Sequence, residues 1–177
     1  VRGKKAVDWR LVDQAVKPAQ FAEAVQKRAT ELAAKSDRPA DAKGVAITQL
    51  NCTIEANALR YTHVTVDIDR AKRSAVFTVK APKAPVEYAQ AAIESVASNW
   101  YPFVLARELD DAILQMRTNE LDIGTWIWKT EGDAANVLQM DEVLLQNKGH
   151  WFVRETIGML RRTLSRIDVS SRSMFAL

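Results

Sequence analysis

The chain has one cysteine, Cys52, and two histidines, His63 and His150, that lie far apart. A lone thiol closes no disulfide framework, and these three residues cannot make up the usual four-ligand zinc set, so no structural metal is expected. Glycine is scarce, 6 residues in 177, and the glycine-dependent motifs are missing with it. There is no P-loop, no Gly-x-Gly-x-x-Gly and no Gly-x-Ser-x-Gly, nor a Ser-x-x-Lys, which removes the common phosphate cradles and serine-nucleophile signatures. No apolar run approaches the roughly 18 to 20 residues that a membrane span needs, and no secretory leader opens the chain, so a cytoplasmic protein is expected. An excess of one charge is also lacking, since the net charge is only +3.

What remains is an ordinary globular composition, 47% hydrophobic and 27% charged, long enough for one domain with a proper core or for parts of two. Its organising stretch runs from Trp100 to Asp133. Phe103, Ala106, Leu109, Ile113 and Met116 recur at helical spacing, with Arg107, Asp110, Asp111, Gln115 and Arg117 on the other side. The β-branched and aromatic run Ile123 to Thr130 then predicts a strand that closes in Glu131-Gly132-Asp133. A helix feeding a buried strand with a polar loop at its end is where α/β folds place ligands.

Around this stretch the pattern predicts a helix from Pro18 to Leu32, with Phe21, Ala22, Val25, Ala29 and Leu32 on its buried face. Residues 36–60 read as a linker, with a short strand allowed at Val45 to Leu50. Alternation of Val64, Val66 and Ile68, then of Ala75, Phe77 and Val79, predicts a hairpin stopped by Pro82 and Pro85. Val86 to Ala97 reads as a short alanine-rich helix. Ala134 to Gln146 is helical, with Val137, Leu138, Val143 and Leu144 available for burial. Trp151 to Ile167 is the strongest helix, its stripe Val153, Ile157, Leu160, Leu164 and Ile167 set against Arg154, Arg161, Arg162 and Arg166. From residue 148 to 172 six Lys or Arg face two acids, so the basic charge is local. Met174 to Leu177 reads as a buried strand. That apolar end, and a start at Val1, suggest an internal piece of a longer protein.

Candidate chemistry is thin. Thr130, Glu131, Gly132 and Asp133 could bind an anion or hold an acid-base pair, against the alternative that Asp133 merely caps the next helix. Asp110 and Asp111 are adjacent on a helix and face different ways. The Arg154, Arg161, Arg162 and Arg166 face could meet a polyanion, against a solvated or subunit-facing surface, because nucleic-acid motifs and exposed aromatics are missing. His63 and His150 read as structural or exposed. Cys52 has no basic neighbour to activate it. Trp9, Trp100, Trp126, Trp128 and Trp151 are expected mostly in the core.

Five stretches together carry a family resemblance. They are Arg2 to Asp13 (RGKKAVDWRLVD), Ala106 to Leu114 (ARELDDAIL), Arg117 to Leu121 (RTNEL), His150 to Gly158 (HWFVRETIG) and Arg172 to Leu177 (RSMFAL). They resemble a two-module branch of the crotonase (enoyl-CoA hydratase/isomerase) superfamily. The resemblance implies a crotonase-like ββα spiral. Residues 1–35 would be the C-terminal helical tail of a first module, 36–60 a linker, and 61–177 the incomplete start of a second, non-catalytic module. It implies opening of the ring of 2,3-epoxybenzoyl-CoA with water, giving a semialdehyde CoA thioester and formate during benzoate breakdown. It further implies a homo-oligomer, a dimer, with no metal or cofactor besides the CoA-thioester substrate, and no nucleic acid or membrane partner. In that superfamily two backbone N–H groups hold the thioester oxygen while carboxylates move protons. Lys129 to Ala134 lacks the small-residue pattern of the first such loop. No catalytic residue is therefore assigned within this segment, and its substrate-binding residues stay unassigned.

Overall fold

The computed structural model describes residues 1–38, 41, 43–86 and 97–177. They fall into two compact units, Val1–Gly44 and Val45–Leu177.

The first unit holds helix α1 (Lys4–Asp8), a 3-10 turn at Pro18–Gln20 and helix α2 (Phe21–Ala34). Pro18 opens the turn, as its preset φ and missing N–H favour. The expected buried face of α2 is absent. Phe21, Val25 and Leu32 are 61%, 50% and 53% exposed, and no residue of the helix is buried. Trp9 is exposed too, under the Lys5 ammonium at 4.7 Å from its ring, so it is not the core residue expected.

The second unit is built on a six-stranded sheet in the order β1-β2-β3-β4-β5-β6. Strands β1 (Thr53–Glu55) and β2 (Ala58–Arg60) form a short hairpin inside the stretch expected to be linker, and no strand forms at 45–50. Three-residue strands are too short to show a period. What holds them is long-range: Ile68 N–H donates to the Asn57 carbonyl, and Arg70 reaches Asn57, Ala56 and Glu120. The hairpin of β3 (Val64–Asp69) and β4 (Ser74–Lys80) is as expected. Asp69 closes its turn by accepting the Lys72 N–H.

After β4 the chain passes through helix α3 (Tyr101–Asn119) into β5 (Thr125–Glu131), which lies parallel to β4 with Phe77 beside Trp128. Helices α4 (Ala134–Gln146) and α5 (Trp151–Asp168) lead to β6 (Ser173–Ala176), parallel to β5. The architecture is mixed α/β. The helix expected at Val86 to Ala97 lies outside the described residues, apart from a 3-10 turn at Ala97–Asn99.

Helix α3 buries every residue of its expected face, Phe103, Ala106, Leu109, Ile113 and Met116, and joins Val64, Val66, Phe77 and Trp126 in the main core. Burying Ile113 alone contributes on the order of 2 kcal/mol. A second cluster gathers Trp100, Phe103, Met140, Leu144, Phe152 and Val153.

Three further expectations about burial fail, all in the second unit. Leu138 of α4 is exposed, and Met140 takes its place. In α5 the buried positions are Phe152, Val153, Thr156 and Thr163, while Leu164 is 54% exposed. The helix is rotated relative to its apolar stripe because it must meet α3 as well as the aromatic cluster. Strand β6 is an edge strand, with Phe175 and Leu177 exposed, although its sequence reads as a buried one.

Candidate functional site

The parallel strands β4 and β5 end side by side, and their C-terminal ends open onto two adjoining cavities of about 510 and 350 Å³ that share Lys80, Ala81, Pro82 and Lys83. The loop after β4 is tied down on both sides. Ala81 N–H donates to the Glu131 carbonyl at 2.7 Å, and Asn136 of α4 donates to the Pro82 carbonyl at 3.0 Å. Gln139 of α4 both donates to the Val86 carbonyl and accepts its N–H.

The larger cavity is lined by Thr62, His63, Lys80, Lys83, Trp100 and Tyr101, among others, and by no carboxylate among the described residues. His63 is half-buried, and its ring meets Tyr101 edge-on with centroids 4.7 Å apart. Burial holds its imidazole below the usual histidine range, and Lys80 and Lys83 push the same way while Glu108 opposes them. The Tyr101 hydroxyl is pushed up to about 12, chiefly by burial, and donates to the Lys80 carbonyl at 2.6 Å. Trp100 is 5% exposed, and its indole N–H finds no hydrogen-bond partner among the described residues. Two ammonium groups and an imidazole around one cavity are suited to a phosphate or carboxylate.

The Thr130 to Asp133 loop borders only the smaller cavity. Asp133 caps α4 by accepting the Ala135 N–H at 2.8 Å, which is the structural alternative the sequence left open. Gly132 sits at φ 117°, and a Cβ there would lie 2.7 Å from that of Ala81. The close crossing of the two strand-end loops therefore depends on this glycine.

The remaining candidates disperse. Asp111 accepts the Tyr61 hydroxyl at 2.7 Å, and that phenol is held far above its ordinary range by burial and by this bond. Asp110 accepts from Arg166 at 2.8 Å, so Arg166 faces α3 rather than standing on an outer basic face. Arg154 lies 3.8 Å from Glu155. Trp126 is fully buried, whereas Trp128 and Trp151 are half-buried. Cys52 is half-buried against the main core. Among the described residues no group of three or more His, Cys, Asp or Glu is placed to hold a metal ion.

No family model matches the chain. Over all 177 residues it is 55% identical to the benzoyl-CoA-dihydrodiol lyase of Aromatoleum evansii. The chain is similar to that lyase from end to end. It spans 32% of the lyase's length. The cleft residues Lys80 and Lys83 were missed by a reading that treated Pro82 and Pro85 only as strand stops. The signal was present in Lys80-Ala81-Pro82-Lys83-Ala84-Pro85, two lysines held in a proline-stiffened loop directly after a strand. The similarity to the benzoyl-CoA-dihydrodiol lyase covers this loop as well as the helices. No helix among the described residues is long and apolar enough to cross a membrane.

Proposed function

We propose that this chain is part of a CoA-thioester lyase that opens the ring of 2,3-epoxybenzoyl-CoA with water, giving 3,4-dehydroadipyl-CoA semialdehyde and formate in benzoate degradation. The identity of 55% across all 177 residues carries this reading. The enzyme is a cytoplasmic homodimer, and the sheet, α3 and the strand-end loops belong to a crotonase-like ββα spiral. The chemical step is performed outside this segment. In support, Glu108, Asp110, Asp111 and Asp133 are each engaged in hydrogen bonds that hold the fold. The segment supplies scaffold, and its Lys80, Lys83 and His63 cavity supplies contacts to an anionic part of the CoA thioester.

Steady-state kinetics of the intact enzyme test both halves. Glu131→Gln with Asp133→Asn should leave kcat within a few-fold of wild type, and a collapse in kcat with folding intact would overturn the silent-module reading. Lys80→Ala with Lys83→Ala should raise KM about tenfold or more with little change in kcat. An unchanged KM would remove the cleft from substrate binding.

A further inference from the structure

One carboxylate holds the corner between β2 and β3. Glu108 of α3 is 1% exposed. Its Oε1 accepts the Thr62 N–H at 3.1 Å, and its Oε2 accepts the His63 N–H at 2.6 Å and the Val64 N–H at 3.2 Å. Three successive backbone N–H groups thus converge on one anion, an arrangement that usually binds a ligand but is here filled by the chain itself. Tyr101 lies seven residues earlier on the same helix face. Its hydroxyl takes the Lys80 carbonyl, its ring takes the His63 ring, and Lys80 N–H donates back to the His63 carbonyl at 2.8 Å. His63, Tyr101 and Lys80 are therefore linked in a closed circuit, and Glu108 anchors its corner to α3.

Burying this carboxylate satisfies three backbone N–H groups that an apolar side chain would leave without acceptors, so it stabilises the corner. It also fixes geometry, and the geometry fixed here is one wall of the larger cavity. We propose that Glu108 is a positioning residue for the cleft, fixing the 62–64 corner so that His63 and Lys80 present to one anionic group. This rests on the reading that the cleft takes an anionic part of the thioester.

The test compares wild type, Glu108→Gln and Glu108→Asp in the intact protein. Calorimetry with benzoyl-CoA measures affinity. NMR follows the imidazole of His63, identified by the resonance lost in His63→Gln. Glu108→Gln should weaken binding about tenfold. It should also move the His63 titration downward, because Glu108 is the charge that opposes burial, Lys80 and Lys83 there. Glu108→Asp keeps the charge and shortens the reach by one methylene. It should hold the titration near wild type while affinity falls part of the way. A residue with only a structural role would lower thermal stability and move the titration through its charge but leave affinity unchanged, which would overturn the proposal. Should Glu108→Gln not fold, the aspartate variant decides, with undiminished affinity the overturning result. If Lys80→Ala and Lys83→Ala bind benzoyl-CoA as wild type does, the ligand cleft itself fails and the inference fails with it. If those variants lose affinity and Glu108→Gln does not, only the positioning role is lost.

Discussion

The guanidinium of Arg166 donates through Nε to Asp110 at 2.8 Å, bridging α5 to α3 across 56 residues of chain. The side chains are 35% and 21% exposed, so the pair is only partly screened by water. A double-mutant cycle with Arg166→Ala and Asp110→Ala should give a coupling of about 1 kcal/mol in chemical denaturation, shrinking as salt is raised. Zero coupling at low salt would show that α5 is placed by its apolar contacts alone.

Replacing Glu108 with leucine keeps the volume and removes every acceptor for three N–H groups. Unfolding free energy should fall by about 3 kcal/mol or more, since buried donors left without partners each cost roughly 1 to 3 kcal/mol. A loss under about 1 kcal/mol would mean that the corner finds other acceptors.

Gly132→Ala should destabilise the protein by about 2 kcal/mol, because the new Cβ meets Ala81 and the left-handed φ strains any side chain. The loop after β4 should loosen with it, read as faster amide exchange at Ala81. Alanine tolerated at full stability would show that the two loops can part without cost.

The cleft should make stability depend on pH at both ends. The folded His63 pKa lies below its ordinary 6.5, so the unfolded chain binds this proton more readily. Its contribution is complete above about 6.5 and is lost as pH falls through that value toward the lowered folded pKa. The folded Tyr101 pKa is raised from 10.0 to about 12. Its contribution is complete below 10 and is lost as pH rises from 10 to 12. In melting curves against pH, His63→Gln should flatten the acid limb near neutrality and Tyr101→Phe the alkaline limb. Unchanged limbs would mean that neither side chain is held as described.

Much of this molecule is determined by its sequence. Helix α3, the β3–β4 hairpin and α5 were legible because an apolar period over six or more residues leaves few alternatives, and β5 because it is a β-branched and aromatic run of strand length. The capping role of Asp133 was legible because the bond it makes spans two residues. The rotation of α5 was not, since its apolar stripe is compatible with several faces and only contact with α3 selects one. Nor were β1 and β2, whose pairing is held by Arg70 and Ile68 from elsewhere in the chain.

Apart from the Lys80 to Pro85 run, the cleft lay beyond the sequence for the same reason. His63, Lys80, Tyr101 and Glu108 share no local pattern, because they come together only when a parallel crossover sets α3 against the ends of β3 and β4. Periodicity reports which face of an element is apolar, and that much the chain decides for itself. Which polar groups meet depends on contacts between residues some 20 to 50 positions apart, as in Tyr101 with Lys80 and Glu108 with His63, and those exist only in the folded chain.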